Sequence, residues 1–164
     1  MARVRRAGAG DIRGLMDCQV QVLESLRGVL PTPFIEHEMG GLRGRGREDA
    51  LEKAIGEEDT IVLVAEEGGT IVGFAQGKVD RGGTSWLAYM GVAPAFRRRG
   101  IARELVRRFI AESRARGAHT VSLYTAPELR PAIRLYTEMG FTPAGRMRRS
   151  RYGVALIEYS KPLD

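Results

Sequence analysis

The chain has 164 residues, of which 43% are hydrophobic and 28% charged, a balance typical of a soluble globular protein with one sizeable core. No apolar run is long enough to span a bilayer, and no apolar segment follows the positively charged N-terminus, so the sequence indicates neither a membrane protein nor a signal peptide. The formal net charge is +6 and comes mainly from arginine, which suits a polyanionic partner such as nucleic acid or a phosphate-bearing small molecule.

Cys18 is the only cysteine, so it has no partner for an intrachain disulfide or for a CxxC metal site. We expect it to be a small buried residue of the first helix. No cluster of histidine and cysteine is present that would hold a metal, so none is expected. These absences together predict a cytoplasmic protein.

The predicted elements begin with a short strand in "ARVRRA". A helix follows, capped by Asp11 and running to about Leu26, with apolar residues at helical spacing. Further helices are predicted over Pro33 to Met39 and over Glu48 to Ile55. The glycine-rich stretch "GGLRGRGRED" between them is typical of a mobile loop or a helix end.

Three β-branched and aromatic runs come next, "TIVLVAEE", "GGTIVGFAQGKV" and "TSWLAYMGV", and their short glycine-containing turns predict an antiparallel meander. The remaining elements are a helix over Ile101 to Arg116 that stops at Gly117, a strand in "HTVSLYTA", a helix in "RPAIRLYTEMG", and strands in "FTPAGRMR" and "YGVALIEYSK". No repeat or domain boundary is visible. We predict one domain over residues 1–164, an α/β or α+β layer structure.

The helix that starts at Ile101 is amphipathic. Its predicted apolar face consists of Ile101, Leu105, Phe109 and Ile110. Its predicted polar face consists of Arg103, Glu104, Arg107, Arg108, Glu112 and Arg114. The apolar face fixes the start of the helix against the sheet.

The first turn of that helix predicts a binding site for a diphosphate. Its backbone N–H groups are unpaired and carry partial positive charge. Gly100 and Ala102 leave the backbone open to a bulky anion, and the arginines from Arg97 to Arg99 add formal charge. The spacing fits neither a Walker loop nor a dinucleotide-binding turn. A basic, solvated turn before a surface helix explains the same composition.

The order of residues in this stretch is more specific than its composition. Arg97-x-x-Gly100-x-Ala102, preceded by Val92-x-Pro94, resembles the acyl-CoA signature of the GNAT superfamily of N-acetyltransferases. The later segment "AIRLYTEMGF" resembles that family's second conserved block, and the order of elements resembles its fold over essentially the whole chain. The resemblance implies a mixed, mostly antiparallel central sheet of about seven strands with helices on both faces. It also implies acetyl-CoA as cosubstrate.

In this family the strand before the signature splays from its neighbour, and the pantetheine arm pairs with the exposed backbone. The resemblance therefore assigns that role to Met90 and Val92, with Gly91 suited to a bulge. The Val92 amide would hold the thioester oxygen as charge develops on it, and the diphosphate would lie on the amides from Arg98 to Ala102. The implied cofactor-binding set is Met90, Gly91, Val92, Arg97, Arg98, Arg99, Gly100, Ile101 and Ala102. Met90 and Val92 also suit the core, and both interpretations hold because the cofactor uses their backbone.

Tyr136 stands in the second block where the family often has a general acid that protonates the departing CoA thiolate. A phenol suits this role because it carries its proton at neutral pH. The alternative interpretation is a core-facing aromatic at helical spacing with Ala132 and Ile133.

The sequence departs from the family pattern in ways that leave the general base unnamed. Leu129 replaces an asparagine that often touches the cofactor, and Tyr124 replaces a glutamate that often serves as base. On the splayed strand Ala88 and Tyr89 stand where others have a carboxylate. The remaining candidates, each more typical of a solvated surface group, are Glu36, His37, Glu38 and Glu128. Histidine is the most testable because it titrates nearest neutrality.

The leading hypothesis is transfer of an acetyl group from acetyl-CoA to a primary amine of a small molecule or peptide, by direct attack through a tetrahedral intermediate. One alternative is a nucleic-acid-binding module that uses Arg97 to Arg99 and "GRMRRSRYG", Gly145 to Gly153, with Tyr152 stacking on a base. Alternation of arginine with apolar residues in that run also suits a solvated sheet face, which disfavours nucleic acid. The other alternative is an acyl-CoA-binding member without catalysis. Dimers are common in the family, and the acceptor and the oligomeric state stay open.

Overall fold

The computed structural model describes residues 1–164 and contains one seven-stranded sheet. The strands are β1 (Arg3–Arg6), β2 (Thr60–Glu67), β3 (Thr70–Val79), β4 (Thr84–Val92), β5 (Thr120–Thr125), β6 (Thr142–Met147) and β7 (Leu156–Pro162). The helices are α1 (Ile12–Glu24), α2 (Thr32–Arg43), α3 (Arg47–Gly56), α4 (Ile101–Ala115) and α5 (Arg130–Glu138).

The strands lie in the order β1-β2-β3-β4-β5-β7-β6. Every neighbouring pair is antiparallel except β4 and β5, which are parallel. A parallel pair needs a crossover connection, and α4 supplies it. The predicted antiparallel meander is therefore β2-β3-β4, and the mixed, mostly antiparallel sheet is confirmed.

Helices cover both faces of this sheet. Helices α1 and α3 pack on β3 and β2, with α2 against α1, while α4 packs on the opposite face across β1 to β4. The larger apolar core lies under α4 and also holds residues of α5 and the last strands, Tyr136, Phe141 and Tyr159. Cys18 is 1% exposed on α1, as predicted. None of the helices has the length and hydropathy to cross a membrane.

The glycine-rich stretch predicted as a loop is partly helical. Helix α2 continues through Gly40 and Gly41 to Arg43. Met39 and Leu42 on either side of the glycines are 3% and 8% exposed. Burial of these two side chains against α1 outweighs the weak helix propensity of glycine.

Helix α4 has the predicted apolar face, but one residue predicted on its polar face is buried. Glu112 is 5% exposed. Its carboxylate accepts hydrogen bonds from Arg6, Arg108 and Arg116. The prediction was wrong because spacing along a helix does not reveal a strand, here β1, that lays an arginine over the polar face.

Candidate active site

A gap opens in the centre of the sheet where β4 and β5 separate. The two strands pair only over Thr84–Trp86 and Thr120–Ser122. Beyond these residues β5 continues with β7, and β4 continues with β3 alone. The second half of β4 therefore has a free backbone edge inside the sheet.

The register identifies which amides of β4 face this gap. Ala93 donates its N–H to the Val72 carbonyl at 2.8 Å. In an antiparallel pair this direction repeats at every second residue, so Gly91 also faces β3. Met90 and Val92 consequently turn their amides toward the gap. These are the two positions that the sequence resemblance singled out.

The expected bulge at Gly91 was wrong. Gly91 pairs in register with Phe74, and the irregularity lies earlier, where Ala88 is the extra residue between Leu87 and Tyr89. Gly91 has a different role. A Cβ there would lie 2.6 Å from a methyl group of Val22, so the glycine lets α1 approach β4 closely.

The turn before α4 has an unusual run of free amides. The N–H groups from Arg98 through Arg103 donate no hydrogen bond to the protein backbone. Arg98 and Gly100 have φ values of 62° and 80°, in the left-handed region. Alternation of this kind turns successive amides toward a common concave side, which suits an anion. Nothing lies within 4 Å of a Cβ built on Gly100, so the turn is open.

The three consecutive arginines have different surroundings. Arg97 donates from Nε to the Val92 carbonyl at 3.0 Å and from Nη2 to the Ser25 hydroxyl at 2.8 Å, so its side chain ties the turn to β4 and to the end of α1. Arg99 pairs with Glu67 at 3.4 Å and lies 5.1 Å from the centre of the Phe96 ring. Arg98 is exposed and has no partner in the protein.

Tyr136 lies on α5 with its ring in the larger core. The residue is 6% exposed, and its ring meets Phe141 edge-on at a centroid distance of 5.8 Å. Burial raises the pKa of the phenol well above its ordinary value. Its hydroxyl has no hydrogen-bond partner in the protein and is not among the fully enclosed polar atoms. The residue is thus both a packed aromatic and a neutral O–H group.

The opposite side of β4 presents Tyr89, whose ring packs against Phe74 at a centroid distance of 4.8 Å. Burial, with a smaller contribution from the negative charge of Glu38, raises the pKa of Tyr89 to about 12. Glu38 lies on α2, is half-buried and has no ion pair. Glu38 is therefore a carboxylate without a partner on the helix that packs against α1.

The other candidates for a base are engaged elsewhere or exposed. Glu36 pairs with Arg27 at 2.6 Å. The His37 ring lies 2.9 Å from an Arg151 nitrogen and 3.2 Å from the Tyr152 hydroxyl, which ties α2 to the β6–β7 connection. Glu128 is exposed. Sequence reasoning did not separate these residues from Glu38, because the partners lie far away in the chain.

The two departures from the family pattern are also placed by the structure. Tyr124 stacks on Trp86 at 5.6 Å with the rings 8° from parallel, where β4 and β5 part. Burial and its cross-strand neighbour Glu158 raise the pKa of Tyr124. Leu129 is the residue before α5 and packs with the apolar residues under α2.

Two polar residues near this site were missed in the sequence. Gln19 is 0% exposed on α1, and Arg47 at the start of α3 donates to its side-chain oxygen at 2.7 Å. The available signal was that Gln19 falls in the apolar stripe of α1, between Leu15 and Leu23. Nothing in the sequence around Arg47 distinguishes it from the neighbouring arginines.

Comparison with known families agrees with this geometry. The model of the acetyltransferase (GNAT) family matches residues 29–141, which is more than half of the chain. The chain therefore belongs to the acetyltransferase (GNAT) family, which confirms the resemblance of its two motifs.

Among curated relatives, mycothiol acetyltransferase of Corynebacterium glutamicum strain R is 36% identical over 93 residues, covering 57% of this chain and 32% of that protein. The mycothiol acetyltransferase of Thermomonospora curvata is 33% identical over 101 residues, covering 62% and 31%. The matched region thus spans about a third of the length of these relatives.

Solved structures share the fold over nearly the full length. PaiA N-acetyltransferase of Thermoplasma acidophilum, in complex with coenzyme A, superposes with a TM-score of 0.80 at 16% identity and covers 96% of this chain and 98% of that one. YncA of Salmonella typhimurium, a putative acetyltransferase with acetyl-CoA, has a TM-score of 0.79 at 23% identity and coverages of 100% and 95%. At these identities the likeness establishes the fold.

Proposed function

We propose that this chain is an acetyl-CoA-dependent N-acetyltransferase that acts on a primary amine. The observation that carries the proposal is the gap between β4 and β5, which opens beside the free amides of Arg98 to Arg103. One end of this arrangement suits an extended amide-containing chain, and the other suits a diphosphate. Acetyl-CoA contains both groups.

The residues present fit this cosubstrate. The backbone of Met90 and Val92 would pair with the pantetheine arm, and the amides from Arg98 to Ala102 would hold the diphosphate. Arg98 is the arginine free to approach that diphosphate. Arg97 positions the turn through its bonds to Val92 and Ser25.

The proposed reaction is direct transfer. The amine nitrogen bonds to the thioester carbonyl carbon, and the developing oxygen charge is held by the Val92 amide. The carbon–sulfur bond then breaks, and the sulfur takes a proton from the Tyr136 hydroxyl, while the proton that the nitrogen loses as it becomes an amide restores the phenol through solvent. Burial raises the pKa of the Tyr136 phenol, so the hydroxyl carries its proton at neutral pH, which is the form that a general acid needs.

An amine that arrives protonated must lose a proton before it attacks. We propose that Glu38 accepts this proton, because Glu38 has no ion pair and its negative charge contributes to the raised pKa of Tyr89 on the splayed strand. The stable pairing of Glu36 with Arg27 disfavours Glu36 for the same task.

The names of the relatives favour a small-molecule acceptor. The curated matches are named for mycothiol, whereas a structural neighbour, the ribosomal-protein-S18-alanine N-acetyltransferase of Escherichia coli, acts on a protein and has 20% identity and a TM-score of 0.74. The higher identity of the curated matches gives them more weight. We therefore place small-molecule amines before peptides.

The test combines binding with turnover. Calorimetry should show CoA and acetyl-CoA binding, and a thiol-release assay over amines, polyamines, amino acids, antibiotics and peptides should show acceptor-dependent CoA release. Absence of CoA binding contradicts the proposal. Binding without release from any acceptor supports the non-catalytic alternative. Salt-sensitive DNA binding without CoA binding supports the nucleic-acid alternative.

A further inference from the structure

Three fully enclosed side-chain atoms of the protein have no hydrogen-bond partner: Gln19 Nε2, Arg47 Nε and Gln76 Oε1. The orientation of the Gln19 amide is determined, since its oxygen accepts from Arg47 at 2.7 Å and only the oxygen can accept. Its NH₂ group is therefore a free donor. Buried polar atoms are normally paired, so each of these three atoms needs an explanation.

Arg47 is the one of these residues that carries charge. Its only hydrogen bond is to the neutral Gln19 side chain, and it has no carboxylate partner. Burial lowers its pKa. Elsewhere in the protein buried carboxylate Glu112 is surrounded by arginines, so this fold can pair its enclosed charges. Arg47 is half-buried with its Nε atom fully enclosed, and a partly desolvated guanidinium without a counter-ion is unfavourable by itself.

These residues surround the acceptor side of β4. Arg47 interacts electrostatically with the phenol of Tyr89. Gln76 lies directly opposite Tyr89 in the β3–β4 register, so both side chains are on the α1 face. Tyr89 directly precedes Met90, whose backbone borders the gap. Gln19 reaches this region from α1 through Arg47.

We propose that Arg47, positioned by Gln19, binds a carboxylate of the acceptor, so that the acceptor is an amino carboxylate such as an amino acid. This inference rests on the proposed N-acetyltransferase function. The carboxylate would supply the missing negative charge to the accessible end of the Arg47 guanidinium, while the enclosed Gln19 side chain holds that guanidinium in place. Glu38, on the same side of β4, supplies the opposite charge for the amine.

A guanidinium favours a planar anion because its N–H groups form a rigid fork that matches two carboxylate oxygens. The neighbouring glutamines add neutral polar atoms without further positive charge. The single positive charge of one arginine would neutralise only part of the charge of a doubly charged phosphate. The site therefore favours a carboxylate over a phosphate.

The experiment measures acetylation of matched acceptors that differ only in the carboxylate. The panel contains L-leucine, L-methionine and L-phenylalanine, the amide of each, and phosphoethanolamine as a phosphate-bearing amine. Acids should exceed their amides at least tenfold in kcat/KM. A preference for amides, or for phosphoethanolamine over every acid, overturns the carboxylate assignment.

Arg47→Met removes the charge and keeps the length of the side chain. The KM for the preferred acid should rise about 10–100-fold, the loss typical of a charged hydrogen-bonded pair, while kcat and the KM for acetyl-CoA stay within about twofold. Arg47→Lys should recover part of this loss because it restores charge without the fork. Arg45→Met is the matched control, since Arg45 is exposed, two residues away and without a partner.

Two further measurements separate this inference from its premise. A lower melting temperature in Arg47→Met with an unchanged acid-to-amide ratio would make Arg47 a structural residue and overturn the inference. If no compound of the panel is acetylated, calorimetry measures whether the acids bind to CoA-saturated protein. CoA binding without acid binding overturns the carboxylate site alone, whereas loss of CoA binding also removes the proposed function.

Discussion

The two sides of β4 offer a bound molecule different kinds of groups. On the α4 side these groups are backbone amides of Met90, Val92 and the turn from Arg98 to Arg103, and two of the three arginines there are tied to the protein. On the α1 side they are charged side chains without an ion-pair partner, chiefly Glu38 and Arg47. Backbone recognition suits a cosubstrate common to a whole family, whereas side-chain recognition can differ from one member to the next.

The largest expected effect is on the α4 side, at Tyr136. Tyr136→Phe keeps the ring in the core and removes the phenol proton. The turnover number should fall about 10²–10⁴-fold, the usual contribution of general acid catalysis, with acetyl-CoA affinity and melting temperature nearly unchanged. Single-turnover kinetics with the preferred acceptor measure this.

Tyr124→Phe is the matched control, because Tyr124 is 47% exposed and stacks on Trp86 outside the core. If Tyr136→Phe keeps full turnover while chemistry is rate-limiting, Tyr136 is a packing residue. The proton must then come from water or from Tyr124.

The next effect tests the α1 side. Glu38→Gln removes the free carboxylate beside Tyr89, and kcat/KM should fall about 100-fold at neutral pH, because the amine then arrives protonated without a base. The loss should shrink as pH rises, since more of the amine is already neutral. A pH profile of kcat/KM provides the measurement.

Glu36→Gln serves as control for this change, because Glu36 is one residue away and paired with Arg27. Equal losses in both variants, or a loss in Glu38→Gln that does not depend on pH, would exclude Glu38 as the base.

The turn before α4 should show a smaller effect, on binding. Gly100→Glu places a negative charge on the open turn, and CoA affinity should fall about 10–100-fold, because repulsion and loss of amide contacts with the diphosphate add together. Gly100→Ala is the control for backbone strain, since both variants place a side chain on a residue with a φ of 80° but only Gly100→Glu adds a negative charge. Affinity of the unchanged protein should also weaken with ionic strength.

Calorimetry of the folded variants is decisive. The assignment of the turn before α4 as the diphosphate site fails if Gly100→Glu binds CoA as well as the unchanged protein does. It also fails if Gly100→Ala loses as much affinity as Gly100→Glu.

The smallest effect concerns a charge whose partners are all within the protein. Hydrogen bonds from Arg6, Arg116 and Arg108 lower the pKa of Glu112 from 4.5 to about 2. A lowered carboxylate pKa stabilises the fold above pH 4.5, and this contribution is lost as pH falls toward 2. Glu112→Gln should therefore cost about 2 kcal/mol at pH 7, after allowance for solvent screening, and less at pH 3.

Urea unfolding at the two pH values measures the change in the free energy of unfolding. Glu104→Gln, which removes the exposed pair of Glu104 with Arg107, is the reference variant. A cost in Glu112→Gln that does not decrease at low pH contradicts the ion-pair explanation. In contrast to Glu38 and Arg47, Glu112 should affect stability without affecting acceptor kinetics.

The elements of the fold were predictable because their signals are local. Gly117 after α4 and the apolar stripe of α4 each lie within a few residues of what they determine. Asp11 directly precedes α1, but its carboxylate accepts from Arg5 and the Gly8 N–H instead of capping the helix, so that predicted cap was wrong. Predictions were wrong where a distant element intervened. Glu112 is buried because β1 brings Arg6 over it, and α2 passes through Gly40 because its far end is packed against α1.

By itself the sequence was enough to predict the proposed cofactor side, because a strand end, an arginine, a glycine and a helix start that suit an anion fall within about ten consecutive residues. Only the tertiary structure decided the acceptor side, since Gln19, Glu38, Arg47, Gln76 and Tyr89 come from five elements. Each of these residues looks like an ordinary surface or core residue in its own segment. Which of their polar atoms find a partner is a property of packing, which no local pattern encodes.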